Sequence, residues 1–246
     1  MTLGFQQVSN NIWRLEIKYK VLGVFSLPVS IWLVRTAADW TLVDTGPPET
    51  GDQVVAAIAK LTVSQGPRQI LLTHAHADHS GGLSAIRAAW GAAAILCHKA
   101  EAPFINGESD YRFLPSKNPL FLVTRNFMQT AWGIPVSKTL ESGESAAGMA
   151  VIHLPGHSPG QIGFLHPHDQ AMICGDAVMN LKGRLSPPIA AFSQDPNLAK
   201  ASMHRLSELD YIHLLPSHGD PILRRGREAM LSFLGYPAQD KPMGHW

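Results

Sequence analysis

The segment His74-Ala75-His76-Ala77-Asp78-His79 places four metal-binding side chains within six residues. Imidazole and carboxylate groups are ligands that zinc prefers in proteins, and a catalytic zinc site needs three of them plus an open position for water. In an extended turn, His74 and His76 point the same way, while Asp78 and His79 follow on a tightening loop. The segment therefore predicts a bound metal ion at this point of the fold.

A β–loop–α–β pattern surrounds this segment. Residues 69–73 read as a buried strand before it, and Leu83, Ile86 and Trp90 form one apolar stripe of a helix after it. Residues 94–97 read as the next strand. The segment thus lies beyond the carboxyl end of a strand, where folds of this kind hold their ligands.

The same mixture of strands and helices continues through both halves of the chain. Further strands are predicted at residues 12–18, 29–35, 40–43, 150–154, 162–165, 171–174 and 212–215. Further helices are predicted after a capping box at Thr50 and Gln53, after Asp195-Pro196, and over 227–234. We therefore expect an α/β (α+β) fold, a sandwich of two β-sheets covered by helices, in one domain over 1–246.

Residues 103–135 depart from this pattern. They mix aromatic residues with Pro, Gly and Asn, and no clean period holds. We interpret them as an insertion of loops and short helix, which is either a lid or an irregular subdomain.

Composition and charge restrict the classes of partner. A formal charge of +1 gives no electrostatic reason to expect nucleic acid or an anionic membrane surface. The sequence shows no secretory signal and no apolar stretch near the ~20 residues that span a bilayer, so the expected location is the cytoplasm. Cys97 and Cys174 lie in apolar strand-like runs and are expected to be buried thiols.

Three further segments carry a polar side chain framed by Gly or Pro directly after a predicted strand. They are residues 155–160 with His157, residues 175–177 with Asp176, and residues 216–220 with His218. Each is weak alone, because Gly-Asp turns are common. Together and in this order they supply the ligands that a second metal ion would need.

This set of motifs resembles the metallo-β-lactamase-fold hydrolases over nearly the whole chain, from about Ile12 to Leu234. The motifs are Leu42-Val43-Asp44-Thr45-Gly46, the six-residue segment, Gly156-His157, Gly175-Asp176 and Ser217-His218-Gly219. The resemblance implies a four-layer αβ/βα sandwich of two mixed sheets flanked by helices.

The resemblance also implies two metal ions. His74, His76 and His157 would hold the first, and Asp78, His79 and His218 would hold the second. Asp176 would bridge the two ions. We expect two Zn²⁺ per chain, with iron or manganese as alternatives. Asp44 is expected either to support a ligand from behind or simply to form a turn.

The implied chemistry is hydrolysis by a bridging hydroxide of a binuclear zinc site, since two divalent ions bring the pKa of a shared water toward neutrality. Asp78 is the candidate catalytic proton shuttle. The expected substrate is a small molecule with an apolar portion that contains an ester, lactone or thioester bond. The apolar segment Val21–Pro28 and the aromatic insertion predict its pocket, with Phe25, Tyr111 and Met179 as candidate contacts.

The related subfamilies leave the substrate open. Acyl-homoserine lactonases place a Tyr where this chain has Met179, and glyoxalase II-type thioesterases carry a helical extension that is not visible after His218. Secreted β-lactamases lack a carboxylate matching Asp176. A mononuclear iron persulfide dioxygenase remains the alternative enzyme, and a non-catalytic binding protein is the second rival. No nucleic acid or membrane partner is expected, and a homodimer is allowed for.

Overall fold

The computed structural model describes residues 3–21, 25–36, 39–128 and 132–236, and the side chains of Val21, Phe25 and Phe127 lie outside that description. Its first sheet follows the order of the chain. Its strands are β1 (Gln6–Gln7), β2 (Ile12–Val21), β3 (Phe25–Arg35), β4 (Trp40–Val43), β5 (Gln69–Leu71), β6 (Ala94–His98) and β7 (Lys138–Leu140). Strands β1 to β4 pair antiparallel, and β4 to β7 pair parallel.

The second half of the chain forms the second sheet and a short two-stranded ribbon. In chain order these strands are β8 (Ser145–Ala146), β9 (Met149–His153), β10 (Ile162–His166), β11 (Ala171–Gly175), the ribbon strands β12 (Met179–Leu181) and β13 (Arg184–Ser186), and β14 (His213–Pro216). The spatial order in the sheet is β14-β11-β10-β9-β8. Only the β14–β11 pair is parallel among the described strands of this sheet.

Helices cover the outer face of each sheet. The α-helices are α1 (Gly51–Thr62), α2 (Ala77–Ser80), α3 (Leu83–Ala89), α4 (Ala102–Asn106), α5 (Pro119–Thr124), α6 (Pro196–Glu208) and α7 (Gly226–Phe233). Helices α1 and α3 lie on the first sheet, and α6 and α7 lie on the second. In the part of the chain described, no helix combines the length and apolar character that a bilayer crossing needs.

Three apolar cores separate these layers. The middle core joins the sheets, with Trp32 and Val43 of the first packed among Phe164 and Ile173 of the second. One outer core holds α1 and α3 against the first sheet, and the other holds α6 and α7 against the second. The layer order is therefore helix–sheet–sheet–helix, and the predicted αβ/βα sandwich is confirmed.

The local predictions hold in most places and fail in one. Cys97 and Cys174 are buried free thiols, as expected. Thr50 does precede α1, but its hydroxyl donates to the carbonyl of Pro47 at 2.9 Å and caps no helical N–H. The capping box was wrong because a 3₁₀ turn at Pro48–Thr50 already provides the start of the helix.

The described part of the insertion at 103–135 is mostly helical. Helices α4 and α5 and the 3₁₀ turns Tyr111–Phe113 and Arg125–Phe127 lie in or across it. Phe104, Tyr111 and Phe121 enter the core of α1 and α3, so this region is packed onto the first sheet. Its role as a lid stays a prediction.

The direction of the strands decides where polar side chains meet. In the first sheet β4, β5 and β6 are parallel neighbours, so the residues after them lie at one edge. In the second sheet β9, β11 and β14 share one direction, because β9 and β11 are each antiparallel to β10. Side chains carried by the loops after these strands can therefore gather at a common edge of the sandwich.

Candidate metal centre

The loops after the strands of both sheets meet at one end of the sandwich. The loop after β5 and the short helix α2 carry His74, His76, Asp78 and His79, while Asp44 follows β4. The loops after β9, β11 and β14 carry the remaining three predicted ligands, His157, Asp176 and His218. The structure thus brings all seven predicted ligand side chains together.

Within the described residues, the ligand atoms form overlapping groups whose members lie within 4.8 Å of one another: His74, His76 and His157; His74, His79 and Asp176; and Asp78, His79 and His218. Asp176 lies between the others. Its Oδ2 is 3.4 Å from His157 Nε2 and 3.1 Å from His218 Nε2. Its Oδ1 is 3.4 Å from His79 Nε2. One carboxylate therefore faces both histidine sets.

The spacing of these atoms fits a shared cation. Ligands on a tetrahedral ion with bonds of about 2.0–2.1 Å lie about 3.3 Å apart. The ring nitrogens His76 Nδ1 and His157 Nε2 are 3.0 Å apart, close to that value. Because two unprotonated ring nitrogens repel at this distance, a proton or a metal ion must lie between them.

Several of the ligand atoms are buried without a partner. His74 Nε2, His76 Nε2, His79 Nε2 and Asp176 Oδ1 have no hydrogen-bond partner among the described residues. An unpaired buried polar atom costs about 1–3 kcal/mol, so a cluster of four is a substantial destabilisation. Divalent metal ions at this centre would satisfy His74 Nε2, His79 Nε2 and Asp176 Oδ1, and the donor set of imidazoles and carboxylates suits such ions.

In two of the ligand rings, the nitrogen that faces away from the centre is fixed by a hydrogen bond. His79 Nδ1 lies 2.8 Å from Asp44 Oδ2, and His218 Nδ1 lies 2.9 Å from the carbonyl oxygen of Pro28. A carbonyl oxygen only accepts, so His218 carries its proton on Nδ1. Nε2 of His218 then faces Asp78 and Asp176, and it is the nitrogen that a metal ion would bind in place of its proton.

Nδ1 of His74 and Nδ1 of His157 are also fixed by hydrogen bonds, in both cases with a hydroxyl group. Thr73 Oγ1 donates to Asp44 Oδ2 at 2.8 Å, so it accepts from Nδ1 of His74 at 3.1 Å. Ser193 Oγ donates to a carbonyl at 3.0 Å and accepts from Nδ1 of His157 at 3.1 Å. Each ring is therefore oriented with Nε2 toward the centre.

Asp44 combines both roles considered for it. Its φ of 61° is in the left-handed region, which Asp tolerates better than most residues, so it forms the turn after β4. Its buried carboxylate also accepts from the N–H of Thr73 at 2.8 Å and from His79. The turn thus aims a carboxylate at the ligand loop from behind.

Electrostatics divide the centre into two sides. Burial, helped by neighbouring imidazoles, lowers the pKa of His74 well below its usual value. Burial also lowers the pKa of His157 to about 4, against the charge of Asp176. Burial would lower the pKa of His79 too, but the carboxylates of Asp78 and Asp176 outweigh it and raise that pKa to about 9. One side offers neutral imidazoles, and the other stabilises positive charge.

A glycine allows the His157 loop to approach helix α6. Gly156 has a φ of 122°, and a Cβ atom there would lie 2.0 Å from the backbone nitrogen of Ala199. Any other residue would push the loop away from the helix and move His157 with it.

A cavity opens directly above the ligands. Its polar floor contains His76, Asp78, His157, Asp176 and His218. Its wall is largely apolar and is formed by Tyr19, Leu27, Met128, Met179, Ile189 and Phe192. Tyr19 and Leu27 are cross-strand partners in the β2–β3 hairpin, and Leu27 lies in the segment Val21–Pro28 that was predicted to contribute to the pocket. Polar ligands under an apolar wall are typical of small-molecule sites.

The three predicted substrate contacts have different outcomes. Met179 lines the cavity. The side chain of Phe25 lies outside the described residues. Tyr111 differs from the expectation: it is fully buried behind the ligands, its ring packs on His76 with centroids 4.8 Å apart, and its hydroxyl donates to Glu101. A large aromatic in an irregular segment can fill a core as well as a pocket.

Two features of the site escaped the sequence analysis. Glu101 is buried among the loops that carry the ligands, and Tyr19 faces the cavity from the hairpin. The first had a signal, because Glu101 follows β6, the next parallel strand after β5. The second had none, since Tyr19 fits the alternation of an ordinary strand.

Comparison with known proteins gives the family. The family model described as metallo-beta-lactamase superfamily matches residues 25–219. The probable metallo-hydrolase YybB of Bacillus subtilis (strain 168) is 31% identical over 228 residues, which cover 90% of this chain and 93% of the relative.

Two further proteins extend the likeness. A hydroxyacylglutathione hydrolase of Anaeromyxobacter dehalogenans (strain 2CP-C) is 31% identical over 133 residues, or 53% of this chain and 39% of the relative. The crystal structure of TTHA1623 in a di-iron-bound form superposes with a TM-score of 0.62 at 27% identity, covering 87% of this chain and 96% of that one. The chain belongs to the metallo-β-lactamase superfamily and is a metallo-hydrolase of that fold.

Proposed function

We propose that this protein is a binuclear zinc hydrolase that cleaves an ester, lactone or thioester bond in a small molecule with an apolar portion. The observation that carries the proposal is the placement of Asp176, whose carboxylate lies 3.4 Å from His157 of one ligand set and 3.1–3.4 Å from His218 and His79 of the other. A carboxylate between two histidine sets is the arrangement expected of a bridging ligand.

The residues would divide between two ions. The first ion would be held by His74, His76 and His157, and the second by Asp78, His79 and His218, with Asp176 shared. Two divalent ions supply a water of near-neutral pKa and polarise the substrate carbonyl when bound. The di-iron form of TTHA1623 keeps iron as an alternative to zinc.

Asp78 is the group that would move the proton. Its carboxylate lies on the cavity floor, with Oδ2 3.3 Å from His218 Nε2 and 3.6 Å from His79 Nε2. Burial would raise the pKa of Asp78, but His79 and the hydrogen bond with His218 outweigh it and lower the pKa to about 2. An ionised carboxylate at this position can accept a proton and deliver it to the leaving oxygen or sulfur.

The cavity wall would bind the apolar part of the substrate. Leu27, Ile189 and Phe192 come from separate segments and face the same space. Tyr19 supplies a hydroxyl there, and burial raises its pKa to about 12, so it stays a hydrogen-bond donor at neutral pH. The name of one relative, hydroxyacylglutathione hydrolase, supports an acyl substrate.

Metal removal should lower the stability of the fold. A ligand that binds only the folded state adds about 2.7 kcal/mol at a concentration of 100 times its Kd. At about 2–4 °C per kcal/mol for a chain of this size, each Zn²⁺ should raise the melting temperature by about 5–10 °C. Differential scanning calorimetry of chelator-treated protein, before and after Zn²⁺ addition, measures this shift. Mg²⁺ is the control ion, and an equal shift with Mg²⁺ would argue against an imidazole-rich site.

Replacing Asp78 should abolish turnover. With zinc-loaded protein and a panel of lactones, thioesters, aryl esters and β-lactams, we expect hydrolysis in one of the first three classes. Asp78→Asn should lower kcat by about 10²–10⁴-fold, the usual contribution of a positioned proton-transfer group. Asp210→Asn, at an exposed carboxylate, is the matched control and should leave kcat unchanged.

Two results would contradict this account. If Asp78→Asn retained turnover at unchanged metal content, Asp78 would be excluded as the proton shuttle. One iron per chain, with oxygen consumption on a persulfide substrate, would favour the mononuclear dioxygenase instead.

The length of the substrate's acyl chain should control kcat/KM if the apolar wall binds the acyl group. A buried methylene contributes about 0.8 kcal/mol, so kcat/KM should rise about fourfold per added CH₂ until the wall is covered. Phe192→Ala should flatten this dependence while sparing short substrates. Phe113→Ala removes an aromatic ring that is 79% exposed and serves as control. An unaltered slope in Phe192→Ala would place the acyl group elsewhere.

A further inference from the structure

Glu101 is a buried carboxylate with all its acceptor positions in use. It follows β6 and precedes α4, and its side chain is completely buried. Oε1 accepts from the Ser158 hydroxyl at 2.8 Å and from the Gly160 N–H at 2.7 Å. Oε2 accepts from the Ala75 N–H at 2.9 Å and from the Tyr111 hydroxyl at 2.7 Å. Four donors satisfy the roughly four lone-pair sites of an ionised carboxylate.

Three of the four donors lie beside the ligands of one set. Ala75 lies between His74 and His76, and Ser158 directly follows His157. The first of these loops follows a strand of the first sheet, and the second follows a strand of the other sheet. Glu101 therefore joins the two sheets at the point where these three histidines meet.

Tyr111 extends this connection to a ligand ring. Its hydroxyl is anchored on Glu101, and its ring lies against the imidazole of His76 at 4.8 Å between centroids. The ring of Tyr111 also packs on Phe104, with ring centroids 4.2 Å apart, and Phe104 belongs to α4, the helix that Glu101 precedes. The carboxylate thus fixes both the backbone beside His76 and the aromatic surface behind it.

Close approach of the second loop is built into the chain. A Cβ atom on Gly160 would lie 2.8 Å from Glu101 Cγ and 2.7 Å from His98 Nδ1. Only glycine lets the backbone N–H reach the carboxylate at this position.

A second buried carboxylate binds a ring of the other ligand set, and it also binds Thr73, the residue before His74. Asp44 Oδ2 binds His79 Nδ1 at 2.8 Å, and Asp44 Oδ1 binds the Thr73 N–H at 2.8 Å. In the described part of the chain, the carboxylate of Glu101 accepts hydrogen bonds from Ala75, Ser158 and Gly160, beside the three-histidine set, and from Tyr111.

We propose that Glu101 is the positioning residue of the His74–His76–His157 site, and that it sets metal affinity there without setting affinity at the Asp78–His79–His218 site. Glu101 touches neither substrate nor metal in this role. Three of its contacts hold the two loops at the separation that the three imidazoles need, and the fourth anchors Tyr111 against His76. The inference rests on the proposed two-metal centre.

The test is a stepwise titration of metal-free protein with Co²⁺, followed by its visible spectrum. His76→Ala and His79→Ala identify the spectrum and affinity that belong to each site. Glu101→Gln keeps the size of the side chain but turns two acceptor positions into donors that face donors. We expect it to weaken Co²⁺ binding at the three-histidine site by about 10–100-fold, the usual effect of losing a partner behind a metal ligand.

Controls separate positioning from general stability. Asp44→Asn should weaken the Asp78–His79–His218 site most, with a smaller loss at the other site, because Asp44 also binds Thr73, whose hydroxyl accepts from His74. Tyr111→Phe and Ser158→Ala each remove one donor from Glu101, so they should give smaller losses at the same site as Glu101→Gln, and they serve if that variant fails to fold. Circular dichroism of each metal-free variant checks the fold.

The outcomes are distinct. A wild-type protein that binds one Co²⁺ contradicts the binuclear centre. Two Co²⁺ in the wild type, with equal losses at both sites or no loss in folded Glu101→Gln, contradicts the positioning role. A loss confined to the three-histidine site supports it.

Discussion

Burial of ligand atoms at the edge where the two sheets meet constrains the rest of the structure. His74, His76 and His79 each leave a ring nitrogen buried and unpaired, and Asp176 leaves an oxygen in the same state. Such atoms lose their hydration on folding, a cost that a bound cation offsets. Four such atoms gather at this one end of a sandwich that three apolar cores hold together. A metal ion is the partner that turns this cost into binding energy.

Two buried carboxylates keep the ligand atoms in place. Asp44 follows β4 and Glu101 follows β6, and both strands pair in parallel with β5, which lies between them. Asp44 orients His79 directly, whereas Glu101 binds the backbone and hydroxyl groups around the other histidines. Because the ligands come from separate sheets, the site has the correct spacing only when both sheets are packed. Metal binding and folding are therefore coupled through the loops rather than through one element.

Sequence patterns predicted the layers and the side chains that gather at one end of the sandwich, because both depend on local signals. The strands follow apolar runs, and each candidate ligand lies in a short segment after a strand. The contacts of Tyr111 and Glu101 were beyond reach, since they depend on how the insertion packs on the first sheet. Tyr111 could fill a pocket or a core, and only the position of Glu101 decides between them. The capping box at Thr50 failed for a similar reason, because a preceding 3₁₀ turn took over its role.

The substrate pocket combines parts that are far apart in the chain, so its chemistry emerges only in three dimensions. Tyr19, Leu27, Met179 and Phe192 line the same cavity above the ligands.

The proposed centre requires two ions that share Asp176, and anomalous scattering at the zinc edge from crystals of zinc-loaded protein tests this most directly. We expect two peaks of similar height, one beside His76 and His157 and one beside His79 and His218, with the Asp176 carboxylate between them. A single peak at full occupancy in zinc-saturated crystals would contradict the binuclear centre.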